Sequence, residues 1–413
     1  MEYNTHTFSN GLRIIHHPAP GTRVTYCGYQ INAGSRHEAP GEEGLAHFCE
    51  HVTFKGTERR SALQIINSLE SIGGELNAYT NKEETVFYAA LLREHTMRAV
   101  DLLTDIVFHS VYPQTEIDKE VEVICDEIES YNDSPAELIY DEFDNILFKG
   151  HPLGHNILGS AENVRKFTTK DALRFTRKHY RPNNAIFFIY GDVDFKKIVK
   201  KLETLDMGLQ SADTPSPEPH QVAEEEKDEK HTQYIEVKKG THQAHVMIGT
   251  RAFSVHDSLR LPLYLLNNIL GGPGMNARLN MALRERSGLV YNVESSMVCY
   301  GDTGTWSIYF GCDAHDVKRC IKLVQRELKR LILHPLTPTQ LNAAKKQIKG
   351  QIGVACDNRE SFALDMGKSF LHYGWLKDTE RLYEQLDAIT SNEMYNVAQQ
   401  LFIPEKLTTM VYC

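Results

Sequence analysis

Apolar and polar positions in the first half of the chain follow two rhythms. Residues 12–17 and 24–32 carry β-branched and aromatic side chains at a period of two, which predicts strands. Glu75–Thr80 and Thr85–Leu91 repeat that rhythm after Gly73-Gly74. Between these pairs a helical period sets in. A Gly-rich loop leads into a predicted helix through residues 45–52, and Ser61 caps a second one running through Leu69. Further helices are predicted near 94–110, 115–131, from Ala136 onward, Thr169–His179 and Phe195–Leu205. Asn184 to Gly191 reads as a strand, and its apolar run Ala185–Tyr190 as a buried one. In the 115–131 helix, capped by Thr115, residues Ile117, Val121, Ile124 and Ile128 form one apolar stripe.

The rhythm stops at Gln210–Lys230, where Pro215, Pro217 and Pro219 precede an acidic run. We read this as a solvated linker dividing a first domain (1–208) from a second (232–413), with 209–231 between them. The second half repeats the first. Ala244–Thr250 reads as a strand and Leu259–Leu270 as a helix, and Thr339-Gln-Leu-Asn aligns with Thr115-Glu-Ile-Asp. The fold expected is α+β: two homologous α/β-roll domains, each an antiparallel-rich sheet covered by helices.

Length agrees, because 413 residues exceed one ordinary core. A composition of 41% hydrophobic and 24% charged residues reads as globular, and the formal charge of −10 argues against a nucleic-acid surface. No apolar run is long enough to span a membrane. The N-terminal Met-Glu-Tyr-Asn-Thr-His lacks the basic and apolar regions of a signal peptide, so a cytoplasmic location is expected. Eight cysteines without a C-x-x-C pair suit a reducing compartment, and Cys49 reads as a buried thiol.

The candidate chemistry sits in Gly44-Leu-Ala-His47-Phe-Cys-Glu50-His51-Val. On a helix at about 100° per residue, His47 and His51 share a face one turn apart and can reach one ion, with Glu50 beside them. The order H-x-x-E-H inverts the commoner zinc-hydrolase motif. Such a site needs a third protein ligand, best supplied by the 115–131 helix. There Glu116, Glu120 and Glu127 line the margin of the apolar stripe, where carboxylates favour a cation; Glu116 reads as solvated.

His47-x-x-Glu50-His51 followed 76 residues later by Glu127 resembles the ligand spacing of the inverzincin peptidases, the group of pitrilysin, insulin-degrading enzyme and mitochondrial processing peptidase. The flanking Gly-Leu-Ala-His-Phe-x-Glu-His-x-x-Phe-Lys-Gly-Thr is similar to the processing peptidase beta subunit and its bacterial relatives. The resemblance implies one Zn2+ on His47, His51 and Glu127, with Glu50 as general base and Glu120 as a supporting acid. Asn77 and Ala78 resemble the family's substrate-binding edge strand, and Glu83 a carboxylate that orients a zinc-bound histidine. Arg284 and Tyr291, in Arg-Glu-Arg-Ser-Gly-Leu-Val-Tyr, resemble a pair that reaches across to the zinc site of a facing half. An offset of 224 residues puts Gly271, Gly274, Met275 and Gln351 at the positions of His47, Glu50, His51 and Glu127, so the second copy is expected to lack a metal. Gly271-Gly-Pro-Gly274 reads as helix punctuation, and His151 and His155 as exposed loop residues.

The activity implied is hydrolysis of short unfolded peptides by a zinc endopeptidase. Relatives enclose a chamber with four such units, so this chain would form half of a clamshell and pair as a homodimer, or as a heterodimer with a related chain. Two other readings are a site-specific presequence-type processing subunit and a non-catalytic core-type scaffold.

Overall fold

The computed structural model describes residues 2–207 and 233–413; the expected linker at 209–231 lies outside the described residues. In the first half, strands β1 (Asn4–Thr7), β2 (Arg13–Pro18), β3 (Val24–Ile31), β4 (Glu75–Thr80), β5 (Thr85–Leu92) and β6 (Ala185–Gly191) form one sheet in the order β1-β2-β6-β3-β5-β4. Its helices are α1 (Leu45–Thr53), α2 (Ala62–Glu70), α3 (Thr96–His109), α4 (Gln114–Asn132), α5 (Pro135–Leu147), α6 (Ala161–Val164), α7 (Thr169–His179) and α8 (Phe195–Thr204). In the second half, β7 (Tyr234–Val237), β8 (Ala244–Ala252), β9 (Val290–Cys299), β10 (Gly304–Cys312) and β11 (Thr408–Tyr412) form a sheet in the order β7-β11-β8-β10-β9. Its helices are α9 (Arg260–Gly271), α10 (Val317–Leu333), α11 (Pro338–Cys356), α12 (Arg359–Tyr373), α13 (Thr379–Ala388) and α14 (Ser391–Leu401).

The duplication is written in the strand pairing. Setting β1 aside, β2 to β6 map in order onto β7 to β11, and the two sheet orders become identical. Each copy has one parallel contact, β2 with β6 and β11 with β7, and the remaining neighbours run antiparallel. The fold is α+β, as the rhythms predict.

The chain folds as two compact units that cross the expected domain boundary. One takes the described residues of 1–130, 155–221 and 355–377; the other takes those of 131–154, 222–354 and 378–413. So α5 belongs with the second sheet and α12 with the first.

In the first unit the sheet is covered on both faces. Strand β6 shows why: Phe187 and Ile189 join the core beneath α1, α3 and α4, while Ile186 and Phe188 join a second core built with Phe362, Ala363 and Met366 of α12. Alternate residues of a strand face opposite sides, so a strand enclosed by two layers must be apolar throughout. Asn358 caps α12 by accepting from the Ser361 N–H at 3.1 Å, and Gly374 ends it in the left-handed conformation (φ 65°). Gln30 donates to the Leu364 carbonyl (2.9 Å), and the Arg13 guanidinium donates to the carbonyls of Phe370 and Leu371 (3.1 and 3.0 Å).

A further polar tie is Glu84, whose side chain is fully buried between His372 Nε2 (2.5 Å) and Lys368 Nζ (3.0 Å). Burial alone would raise the Glu84 carboxyl, but the His372 hydrogen bond and the Lys368 charge hold it at about 2, against an ordinary 4.5. A carboxyl depressed in the folded state adds stability that is present above about pH 4.5 and is lost as pH falls toward 2. Glu84→Gln is therefore expected to cost roughly 3 kcal/mol near neutral pH. It should also flatten the loss of stability between about pH 4.5 and pH 2. Urea unfolding near neutral pH and below the ordinary carboxyl range checks both effects, and an unaltered acid dependence in the variant would contradict the role given to Glu84.

Candidate metal centre

Helix α1 buries Leu45, Phe48 and Val52 completely, which turns its other face toward α4. On that face the imidazoles of His47 and His51 lie 4.6 Å apart between ring centroids. Helix α4 buries Ile117, Val121, Ile124 and Ile128, the expected stripe, and presents Glu120 and Glu127 from its margin. Glu127 reaches the two rings: one carboxylate oxygen is 3.3 Å from His51 Nε2 and the other 3.8 Å from His47 Nε2. Ligand atoms of His47, His51 and Glu127 all lie within 4.8 Å of one another.

The donor set fits zinc. Two atoms bound at about 2.0–2.2 Å with a tetrahedral angle lie roughly 3.3–3.6 Å apart, close to the observed separations. Each histidine offers Nε2. The Nδ1 of His51 meets Glu120 Oε1 at 3.0 Å, and Lys55 Nζ lies 2.5 Å from the other Glu120 oxygen. A carboxylate on Nδ1 fixes ring orientation and leaves Nε2 for a metal. The Nδ1 of His47 is buried without a partner among the described residues.

Electrostatics make the same point. Burial and the neighbouring His51 push the His47 imidazole down, keeping it neutral. Burial also acts against a charge on His51, but hydrogen bonds to Glu120 and Glu127 outweigh it and raise that imidazole to about 9. The cluster favours a positive charge between Glu127 and the rings.

Glu50 is 9% exposed and turned toward β4, where its Oε2 accepts from the Thr80 hydroxyl at 2.6 Å. Burial raises its carboxyl above the ordinary value despite that bond. Strand β4 is the edge of the sheet and, among the described residues, pairs with β5 alone, antiparallel. Leu76 and Ala78 face the core beneath α1, and the period of two sends Thr80 the same way. Asn77 lies on the same strand, opposite Tyr88 of β5. Its outer backbone edge is therefore open to an added strand beside Glu50.

The other expectations divide. Glu116 pairs with Lys119 at 2.7 Å on the surface, as a solvated acid should. Cys49 is fully buried, and its thiol is pushed well up. Glu83 is buried in the β4–β5 turn in an ion pair with Arg36, and it forms no hydrogen bond to the unpartnered His47 Nδ1. The carboxylate that meets an imidazole of the pair through Nδ1 is Glu120, on His51. His151 and His155 are half-buried, with Asp302 at 3.7 Å and Glu38 at 2.9 Å respectively, because the loop that carries them is packed down instead of projecting. Arg284 and Tyr291 belong to the second unit: Arg284 lies in the last turn of a π-helical segment (Asn280–Glu285), Tyr291 is 84% exposed, and the guanidinium stands 5.7 Å from the ring centroid.

The second copy is blank, but not at every residue expected. The start of α11 follows that of α4 by 224 residues (114 to 338), which keeps Gln351 opposite Glu127. The start of α9 follows that of α1 by only 215 (45 to 260), so the counterparts of His47, Glu50 and His51 fall inside α9. Gly271 is the last residue of α9, and Gly274 and Met275 come after it. The α9 sequence, Arg-Leu-Pro-Leu-Tyr-Leu-Leu-Asn-Asn-Ile-Leu-Gly, contains no His, Cys, Asp or Glu.

Sequence reasoning gave no role to Lys55 or Thr80. Lys55 stands four residues after His51, just past the end of α1, and Thr80 closes β4 three residues after Asn77. No described helix is long and apolar enough to cross a membrane.

Two family models match most of the chain. Residues 13–161 match the family described as Insulinase (Peptidase family M16), and residues 166–348 match the Peptidase M16 inactive domain. The chain is similar to the uncharacterized zinc protease YmxG of Bacillus subtilis, at 32% identity over 98% of this chain and 97% of that protein. It is likewise similar to an uncharacterized zinc protease of Rickettsia bellii, at 33% identity over 97% and 95% of the two chains. In fold it is similar to a protease from Helicobacter pylori (TM-score 0.91, 22% identity, covering 100% and 99% of the two chains). It also matches a peptidase M16 inactive domain from Pseudomonas fluorescens (TM-score 0.87, 18% identity, covering 100% and 98%).

One equivalent of zinc added to metal-free protein is expected to shift the imidazole resonances of His47 and His51 and to leave those of His151 and His155 in place. Unmoved His47 and His51 signals in a titration followed by NMR would separate the pair from any metal.

Proposed function

The chain belongs to the insulinase family of peptidases, family M16, and from that premise we propose that it is a zinc-dependent endopeptidase acting on short unfolded peptides. The observation that carries this reading is the meeting of His47, His51 and Glu127 within 4.8 Å beside a buried Glu50. His47, His51 and Glu127 hold the ion. Zinc bound there supplies Lewis-acid chemistry, polarising a scissile carbonyl and lowering the pKa of water.

The chain's own residues do the rest. A peptide adds as a further strand along the free edge of β4 at Asn77 and Ala78, where main-chain hydrogen bonds hold it with little demand on sequence. Glu50 takes a proton from the attacking water and returns it to the leaving amine. The Thr80 hydroxyl holds one Glu50 oxygen and so directs the other. Glu120 keeps the His51 ring facing Glu127, and Lys55 balances the charge of Glu120.

With one site per duplicated chain, we place Arg284 and Tyr291 on the zinc site of a second copy, in a homodimer that forms a closed chamber. Their exposure supports such a use: an open phenol can hydrogen-bond the oxyanion of a tetrahedral intermediate, and a guanidinium can fix substrate. Enclosure would select short, unfolded peptides by size.

Two experiments test this. Glu50→Gln should keep its zinc and lose at least the roughly 10²–10⁴-fold that a positioned base supplies; normal peptide cleavage by that variant would remove Glu50 from the mechanism. Mixing His51→Ala chains with Tyr291→Phe chains should recover part of the activity that each lacks alone, since one mixed site has every residue. No recovery under conditions of subunit exchange would count against action across a dimer.

A further inference from the structure

Helix α1 has no cap of its own. It starts after Gly44, which has no side chain and sits at φ 97°. The first N–H groups of a helix have no intrahelical acceptor, and leaving them buried and unsatisfied is costly. Leu45 N–H meets the Glu42 carbonyl (2.9 Å), and those of Gly44 and Ala46 are met by a side chain outside the helix. The Glu38 carboxylate accepts from Gly44 N–H (3.1 Å) with one oxygen and from Ala46 N–H (2.7 Å) with the other. Its side chain is fully buried.

Glu38 is itself held. His155 Nε2 lies 2.9 Å from Glu38 and 3.0 Å from the Ser35 carbonyl. A carbonyl only accepts, so Nε2 carries the proton and donates to both. The 155–160 segment is pressed onto the start of α1: a Cβ on Gly159 would lie 2.2 Å from the Glu43 carbonyl oxygen, and one on Gly44 would lie 2.7 Å from that of Leu158. On its other side the Ser35–Glu38 segment is bonded to the turn that follows β4, through Ser35 N–H to Asn81 O (3.1 Å), Arg36 N–H to Lys82 O (2.9 Å), and the Arg36–Glu83 ion pair. Lys82 Nζ donates to the His155 carbonyl.

We propose that Glu38, gripped by His155, is a positioning residue that fixes α1 along its axis and keeps His47 and His51 in reach of Glu127. Each helical residue advances by about 1.5 Å, so a slip of one residue would take both Nε2 atoms out of ligand range. The same clamp ties the metal helix to the turn after β4, so the edge that holds a peptide and the helix that carries the base share one anchor. This rests on the reading of the α1 donors as a metal site, and it adds residues that the ligand motif does not contain.

The test uses the full chain, stripped of metal and titrated with zinc against a colorimetric chelator, in the parent, Glu38→Ala, His155→Ala and His155→Gln. Amide exchange along α1 is followed by mass spectrometry in the metal-free state. Both alanine variants should weaken zinc binding roughly 10- to 100-fold. They should also speed exchange at residues 44–48, leave α4 protected, and lower kcat with KM little changed. His155→Gln keeps an N–H donor and should retain most of the parent's affinity. Parent-like affinity and α1 protection in the alanine variants would overturn the proposal, as would His155→Gln behaving like His155→Ala. Should Glu38→Ala fail to fold, the two His155 variants carry the test. A parent that binds no zinc would sink the metal reading, while the exchange comparison would still judge the clamp.

Discussion

Two imidazoles and a carboxylate, brought together by separate helices, favour a positive charge between them, and much of the first unit answers that constraint. Such a cluster is stable only where the surrounding packing holds the helices in register. The apolar face of α1 and the isoleucine–valine stripe of α4 do so by burying into one core. The polar ties then refine the rings: Glu120 on His51, Lys55 on Glu120, Thr80 on Glu50.

The duplicated sheet shows which parts of this arrangement belong to the fold and which to the chemistry. Strand order, parallel contact and flanking helices recur in the second unit without one metal-binding side chain on α9. The fold therefore does not depend on the side chains that stand at these positions in the first copy. The free edge strand recurs as well, since β9 pairs only with β10 among the described residues, so an exposed edge is a property of the topology. What makes β4 special is its neighbour: Glu50 hydrogen-bonds to it through Thr80.

Much of this was legible in the sequence because local rules decided it. Strands β2 to β6 follow their period-two and apolar runs, α2 its Ser61 cap, and the metal motif the spacing of its own residues. The exchange of α5 and α12 between units was not legible. An amphipathic helix carrying Phe362, Ala363, Met366 and Leu371 could cover either sheet by pattern alone; Gln30, Arg13 and Glu84 meet it in three dimensions. Glu83 illustrates the same limit, since its pairing with Arg36 depends on the path of two loops. The constant offset of 224 served α4 and failed α1 because loops between equivalent elements change length freely, while the elements themselves do not.

X-ray absorption at the zinc edge of the purified protein is the most direct measure of the central claim. The account predicts a four-coordinate ion with two imidazole nitrogens and a carboxylate oxygen, at about 2.0–2.2 Å and without sulfur. A spectrum showing thiolate ligation, or bound zinc that persists unchanged when His47 and His51 are both replaced, would contradict it.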